Sequence, residues 1–426
     1  MAYRNKLIQL QKDISSSYKK TILPNGIRVL SEEIPFVKSV SIGVWIDTGS
    51  KNEHPENNGI SHFIEHMVFK GTKHKSIKTI AQSLESVGGY MNAFTTKEHT
   101  CFYARVLDEY AEKAVDVLSD LVQYPEFREK EMVKEKSVVM EEIKTAEDDP
   151  DDQVHEYFEK HLFGQHSLGL PVIGTSKNVS SFTQKQLKEY AAKWYVPHKI
   201  VVAAAGNISH TAVVNLVEKY FHSKRRTDDI SFKEKISLPK KYFHEYLKPI
   251  QQAHICTGTL AFSVNSRYRY PALVMNTLLG DGMSSRLFQQ IRERHGLAYS
   301  TYSYLSLMKD SGLFGLYIGT DKEHVQQSLD LAYNELRKLQ TKLISKSELQ
   351  RTKAQLKGNM LLSLESTSNR MMRLGSGELY FGNCTPLDTI AKNIDQVTPD
   401  DIQHVAKVLF GKEQFTTVIL SPQNSN

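Results

Sequence analysis

The amino-acid sequence predicts an α+β protein of two homologous domains, each a mixed, mostly antiparallel sheet with packed helices. Three observations carry that reading. One order of elements (strand, helix, hairpin, long helix, helix, then helix and strand) occurs twice, at a period of roughly half the chain. A segment dominated by Lys, Arg, Asp, Glu and Ser, 223–240, lies between the copies and has little to bury. The composition, 40% hydrophobic and 24% charged over 426 residues, supplies apolar material for more than one core. Domains are therefore expected at 18–222 and 241–426, joined by a linker at 223–240.

In order, Thr21 to Leu30 reads as two strands around a Pro24-Asn25-Gly26 turn. Ser39 to Thr48 alternates and is rich in Val, Ile and Trp, the mark of a strand. A polar loop, Gly49 to Asn58, leads into a helix around His62, and Ile77 to Val87 gives a second helix closed by Gly88 and Gly89. Tyr90 to Val106 is β-rich, and Tyr110 to Gln123 is a long helix. A charged helix runs from Glu129 to about Ala146, stopped by Asp148, Asp149 and Pro150, with more helix to Leu162. Gln184 to Trp194 and His210 to Tyr220 are helices on either side of a strand, Ile200 to Ala205. The second copy has a β-rich Gln252 to Val264, then helices at Tyr270 to Leu279 and Ser285 to Arg294. A strand pair follows at Tyr299 to Leu305 and Gly312 to Gly319. Helices at His324 to Leu339, Lys346 to Leu364 and Ile402 to Phe410 lead to a last strand, Thr416 to Leu420.

The formal charge of +6 is modest for this length, and no zinc-finger, RNA-binding or basic-region signature accompanies it, so a nucleic-acid partner is not expected. Cysteine occurs three times, at Cys101, Cys256 and Cys384, scattered and without a C-x-x-C, which fits a reducing compartment. Met1 to Lys20 is mixed polar and charged, without the apolar centre of a signal peptide. No run of about 18 apolar residues is present, so no membrane span is expected. The expected location is cytoplasmic.

The chemistry concentrates in Gly59 to Thr72, which holds His62, Glu65 and His66 in an H-x-x-E-H pattern, an inverted zinc-protease signature. Residues four apart share a helix face, so two imidazoles can reach one metal ion. Glu65 stands beside them, placed to take a proton from a water rather than to bind the metal. Ile60, Phe63, Ile64, Met67 and Val68 make the rest of the helix apolar, and Gly71 offers a stop. Polar residues set in an apolar helix need partners, and a metal supplies one. In the second copy the corresponding stretch, Gly280 to Phe288, holds no such cluster.

A catalytic zinc site takes three protein ligands and keeps one open position. The third is expected from the helix carrying Glu141 and Glu142. Glu141 continues a stripe through Lys134, Ser137, Lys144 and Thr145, a solvated face. Glu142 continues a stripe through Glu135 and Val138, where the apolar neighbour indicates packing. Glu142 is therefore the expected ligand and Glu135 its neighbour on that face. The charge pattern by itself fits equally a helix whose acids solvate a lysine-rich surface.

With these residues in place, the chain resembles the pitrilysin or insulinase family of zinc peptidases. It is nearest the bacterial processing-protease branch, which is similar to the β subunit of the mitochondrial processing peptidase. The resemblance covers about Tyr18 to Ser421, and its markers are Asn57 to Met67, Gly88 to Thr95, and Val139 to Ile143 followed by Asp148, Asp149 and Pro150. It implies one zinc per chain on His62, His66 and Glu142, with Glu65 as general base and Glu135 supporting the site. It implies a clam-shell of two domains around a chamber, acting as an endopeptidase or oligopeptidase on short or unfolded peptides. Substrate would add as a strand along Asn92, Ala93, Phe94 and Thr95, and Arg292 and Tyr299 would contact it from the other domain. From strand pattern alone, Tyr299 reads as a core aromatic. The alternative is a non-catalytic structural or peptide-binding subunit of the same fold. Such subunits lack part of the metal motif, which is complete here. A homodimer sharing its chamber is also compatible with the sequence.

Overall fold

The computed structural model describes residues 18–223, 236, 241–412 and 414–423. The expected linker, 223–240, therefore lies almost wholly outside the described residues. Two compact units are present. Among the described residues, the first comprises 18–143, 170–223 and 362–390, and the second 144–169, 236, 241–361, 391–412 and 414–423.

The first unit holds a sheet built from β1 (Lys19–Ile22), β2 (Arg28–Glu33), β3 (Ser39–Ile46), β4 (Tyr90–Thr95), β5 (Thr100–Leu107) and β6 (Ile200–Gly206). Its order is β1-β2-β6-β3-β5-β4, and only the β2–β6 pair is parallel. Successive side chains of a strand point to opposite faces, and the central strands obey this. Val40, Ile42, Val44 and Ile46 of β3 and Val202 and Ala204 of β6 enter one apolar cluster. Trp45, Val201, Ala203 and Ala205 enter another, on the reverse face.

A sheet buried on both faces needs cover on both, and the second cover comes from far along the chain. Helix Thr367–Phe381 lies on β2, β3 and β6 with Met371, Leu374 and Leu379 inward. It approaches so closely that a Cβ at Gly375 would stand 2.1 Å from Nε1 of Trp45. Ser41 Oγ meets Thr367 Oγ1 at 2.9 Å and Ser368 Oγ at 3.0 Å.

The second unit repeats this plan. Its strands are β7 (Tyr242–Lys248), β8 (Ala253–Ala261), β9 (Ala298–Leu307), β10 (Gly312–Thr320) and β11 (Thr416–Pro422). The order β7-β11-β8-β10-β9 is that of β2-β6-β3-β5-β4, again with one parallel pair, β7–β11. Here the borrowed cover is helix Pro150–Phe163, which packs on β8 and β11. Val154, Phe158, Leu162 and Phe163 join Cys256, Tyr317, Val418 and Leu420, and His161 stacks on Tyr242 at 4.1 Å between ring centroids.

The compact units thus differ from the contiguous segments 18–222 and 241–426. Each sheet is completed by a helix from the other half of the sequence, because neither half alone covers both faces. The strand β7 and the helices Thr367–Phe381 and Leu387–Gln396 were not among the expected elements. The segment Phe288–Arg294 is a π-helix. No helix among the described residues is long and apolar enough to cross a membrane.

Candidate metal centre

The motif helix, Ile60–Val68, buries Ile60, Phe63, Ile64, Met67 and Val68, as its apolar spacing predicts. It ends at Val68, short of Gly71. Its N-cap is Gly59, in the left-handed region at φ +94°, and a Cβ there would meet Gly174 Cα at 2.7 Å. Glycine has no side chain to cap the helix, and Glu53 does so instead. Glu53 Oε2 accepts from Gly59 N at 2.7 Å and Asn58 Nδ2 at 2.9 Å, and Oε1 accepts from Ser61 N at 2.8 Å. A carboxylate on the exposed amides of a helix start suits the helix dipole. Ser61 Oγ is held in turn by Tyr190 OH at 2.7 Å, which also meets Thr48 Oγ1 at 3.1 Å.

The helix brings His62 and His66 together with ring centroids 4.7 Å apart. Helix Glu129–Asp148 brings Glu142 opposite them, with Oε1 3.6 Å from His62 Nε2 and Oε2 3.4 Å from His66 Nε2. One donor atom from each of the three lies within 4.8 Å of the others. Glu135 stands behind, its Oε1 2.9 Å from His66 Nδ1 and its Oε2 2.7 Å from Lys70 Nζ.

Packing does not distinguish Glu142 from Glu141. Val138 is 51% exposed and the Glu142 side chain 45%, so that stripe of the helix is not packed at either residue. Glu135 is the buried acid. Glu142 is distinguished from Glu141 by its carboxylate, which stands 3.6 and 3.4 Å from the two imidazoles.

The donor set fits a divalent metal. Glu135 is held below the usual carboxylate range: burial opposes this, but the hydrogen bonds and charges of His66 and Lys70 outweigh it. Its contact with Nδ1 orients the His66 ring and leaves Nε2 on the side of Glu142. Burial, reinforced by the charge of His66, pulls His62 down to about 3, so that imidazole is neutral. His66 is pulled down by burial but raised on balance by its bond to Glu135 and by the charges of Glu142, Glu135 and Glu65. Two imidazoles and one carboxylate are a donor set found in catalytic zinc sites.

Glu65 lies beside the cluster and is raised, first by burial, with the Thr95 hydrogen bond and the His66 charge opposing. Thr95 Oγ1 donates to Glu65 Oε2 at 2.5 Å. Thr95 ends β4, and β4 is the outer strand of the first unit's sheet, paired only to β5 among the described residues. Asn92, Ala93, Phe94 and Thr95 thus occupy a sheet edge, and the last of them touches Glu65.

Two family models match the chain: insulinase (peptidase family M16) over residues 28–176, and the peptidase M16 inactive domain over residues 181–356. The chain belongs to peptidase family M16, the insulinase family. It is 44% identical over 411 residues to the uncharacterized zinc protease YmxG of Bacillus subtilis, covering 96% of this chain and 99% of that one. It is 38% identical over 408 residues to an uncharacterized zinc protease of Streptomyces coelicolor, covering 94% and 89%. The fold is that of a protease from Helicobacter pylori, with a TM-score of 0.88 at 23% identity over 96% of this chain and 100% of that one. A peptidase M16 inactive domain from Pseudomonas fluorescens gives 0.89 at 20% identity over 96% and 99%.

In this M16 chain the cluster lies within the segment matched by the first model, and Arg292 and Tyr299 within that matched by the second. Arg292 Nη1 donates to the Tyr299 carbonyl at 2.7 Å, and its guanidinium lies 4.8 Å from the Tyr299 ring centroid. Tyr299 is 76% exposed, so the core reading from its strand pattern is wrong. It stands at the start of β9, the outer strand of the second sheet. Glu53, Lys70 and the Thr95 hydroxyl escaped the sequence reading. Glu53 lay in a loop read only as polar, and nothing local marks it as a cap six residues from Gly59.

Proposed function

We propose that this M16 protein is a zinc-dependent endopeptidase or oligopeptidase for short or unfolded peptides. The observation that carries the reading is the convergence of His62, His66 and Glu142 on one position beside Glu65. A zinc ion held there supplies an acidified water and a polarised scissile carbonyl. Glu65 is the general base. Its Oε2 is occupied by Thr95, which leaves Oε1 to take the water proton and return it to the leaving amine. Glu135 orients the His66 ring through Nδ1. The free edge of β4 offers main-chain groups to an extended peptide, so recognition depends little on its side chains. Arg292 and Tyr299 are assigned to substrate contact, which the exposure of Tyr299 supports.

The test is zinc analysis with a peptide-cleavage assay on three proteins. Wild type should carry one zinc per chain and cleave. Glu65→Gln should keep the zinc and lose about 10²–10⁴ in kcat, the usual worth of a general base. His66→Ala should lose the zinc. Cleavage by Glu65→Gln at the wild-type rate, or full zinc in His66→Ala, would overturn the assignment.

A further inference from the structure

Two irregularities of the second unit meet at Arg292. The first is the π-helix Phe288–Arg294. It closes with Leu297 N donating to the Ile291 carbonyl at 3.0 Å and Gly296 N donating to the Arg292 carbonyl at 3.0 Å. The second is a bulge at the start of β9. Ala298 pairs with Thr320 and Ser300 with Gly319, so Tyr299 is an extra residue without a partner on β10. A bulge leaves its extra residue unpaired and can re-aim a side chain. Here the Tyr299 carbonyl accepts from Arg292 Nη1 at 2.7 Å, and the residue is 76% exposed.

The same guanidinium lies over two rings. It is 4.8 Å from the centroid of Phe288 and 4.8 Å from that of Tyr299. Phe288 is half-buried and stands four residues before Arg292, so the two side chains share one side of the helix. One hydrogen bond fixes one nitrogen of a long, rotamer-rich side chain. Ring faces add an attraction to the whole cation. Rings and a carbonyl hold the group without neutralising it, which keeps its charge for a ligand.

We propose that Phe288 is a positioning residue: with Tyr299 it fixes the Arg292 guanidinium in the orientation that meets a peptide substrate. The inference rests on the assignment of Arg292 to substrate contact. π-Turns and bulges gather at functional sites. Here the π-turn supplies Phe288 and Arg292, and the bulge supplies the carbonyl and ring of Tyr299. A pre-organised group loses less freedom when it binds.

The test uses the full chain loaded with zinc and a peptide substrate. Phe288→Leu keeps an apolar side chain and removes the ring. KM should rise about two- to fivefold, the worth of one exposed cation–π contact. The kcat and zinc content should stay at wild-type values, because ground-state and transition-state binding are lost equally. Phe288→Tyr keeps the ring and should keep the wild-type KM. In an Arg292→Ala background Phe288→Leu should change KM no further. An undiminished loss in that background would mean that Phe288 supports the fold or touches substrate itself, and overturns the proposal. A readout free of activity is the reaction of Arg292 with phenylglyoxal, followed by peptide mass mapping with the exposed Arg294 as reference. Its rate should rise about two- to fivefold in Phe288→Leu and not in Phe288→Tyr. An unchanged rate in Phe288→Leu overturns the proposal. Wild-type KM in Arg292→Ala overturns the substrate assignment and the positioning role with it. A wild type that does not cleave overturns the peptidase reading alone, and the labelling rates then decide whether Phe288 holds the guanidinium.

Discussion

Thr95 joins two parts of the candidate site in one residue. Its main chain ends the β4 edge, and its hydroxyl donates to Glu65 at 2.5 Å. Thr95→Val keeps the shape and removes the donor. A hydrogen bond to a charged group is worth about 1.5–3 kcal/mol, so kcat should fall about 10- to 100-fold with KM and zinc content unchanged. Thr95→Ser should restore most of it. Loss of activity with equal loss in the Ser variant would mean that the strand, not the hydroxyl, matters. A second residue, His99, sets a pH limit. It is buried against Trp45, Phe94 and Tyr380, with ring centroids 5.0, 6.1 and 6.0 Å away. Burial pulls it down to about 4, against the opposing charges of Glu98 and Asp47. The unfolded chain takes the proton near pH 6.5 and the folded one near 4. The stability held by neutral His99 is therefore complete above about pH 6.5 and is lost as pH falls from there toward 4. Between pH 7 and pH 5 the loss is about 2 kcal/mol. Denaturant unfolding of His99→Gln should show a pH 7 to pH 5 decline smaller by that amount. An identical decline would assign the effect elsewhere.

At the scale of elements, the motif helix is held from outside by an acid that local sequence rules do not find. Glu53→Ala would orphan the backbone amides of Gly59 and Ser61 and leave Asn58 Nδ2 only its bond to the Pro171 carbonyl. Unsatisfied buried donors cost about 1–3 kcal/mol each, so the chain should lose about 3 kcal/mol or more in denaturant unfolding. Zinc affinity should fall as well, because the helix that carries both histidines loses its anchor. Unchanged zinc affinity would show that the metal positions the helix without help. Residues that contribute one periodic, chemically distinct face were legible in the sequence: His62, Glu65 and His66 declare themselves. Glu142 was chosen by a packing argument that its exposure contradicts; the structure sets its carboxylate near both imidazoles for a different reason, its position across from the motif helix. Helix Thr367–Phe381 was missed because Gly375 and Gly377 break its helical signature, and Gly375 is required by the close approach of Trp45. Strand β7 was missed because Tyr242 and Phe243 put large aromatics on both faces, which erases the alternation of a half-buried strand.

At the scale of the whole chain, duplication was legible as a repeated order of elements, while the exchange of cover helices was not. Periodicity reports that a helix has an apolar face, and it carries no information on which sheet receives that face. The exchange has a consequence for folding. A chain opened between residues 223 and 241 gives two fragments that match the sequence halves and not the compact units. The N-terminal fragment lacks Thr367–Phe381, so Trp45, Val201, Ala203 and Ala205 lose their cover. The C-terminal fragment lacks Pro150–Phe163, and with it Val154, Phe158, Leu162 and Phe163. Burial of an apolar side chain contributes about 1.5–3 kcal/mol, so those four contribute on the order of 6–12 kcal/mol. A whole domain is stable by only about 5–15 kcal/mol. Neither fragment should fold alone. Each should show little near-ultraviolet circular dichroism and should aggregate through its uncovered sheet face. Expressed together, they should recover the near-ultraviolet spectrum and a single cooperative melt, because each carries the helix that the other's sheet needs. A C-terminal fragment that melted cooperatively by itself would show that β8 and β11 stand without helix Pro150–Phe163, and the exchange would then be an embellishment of two self-sufficient domains.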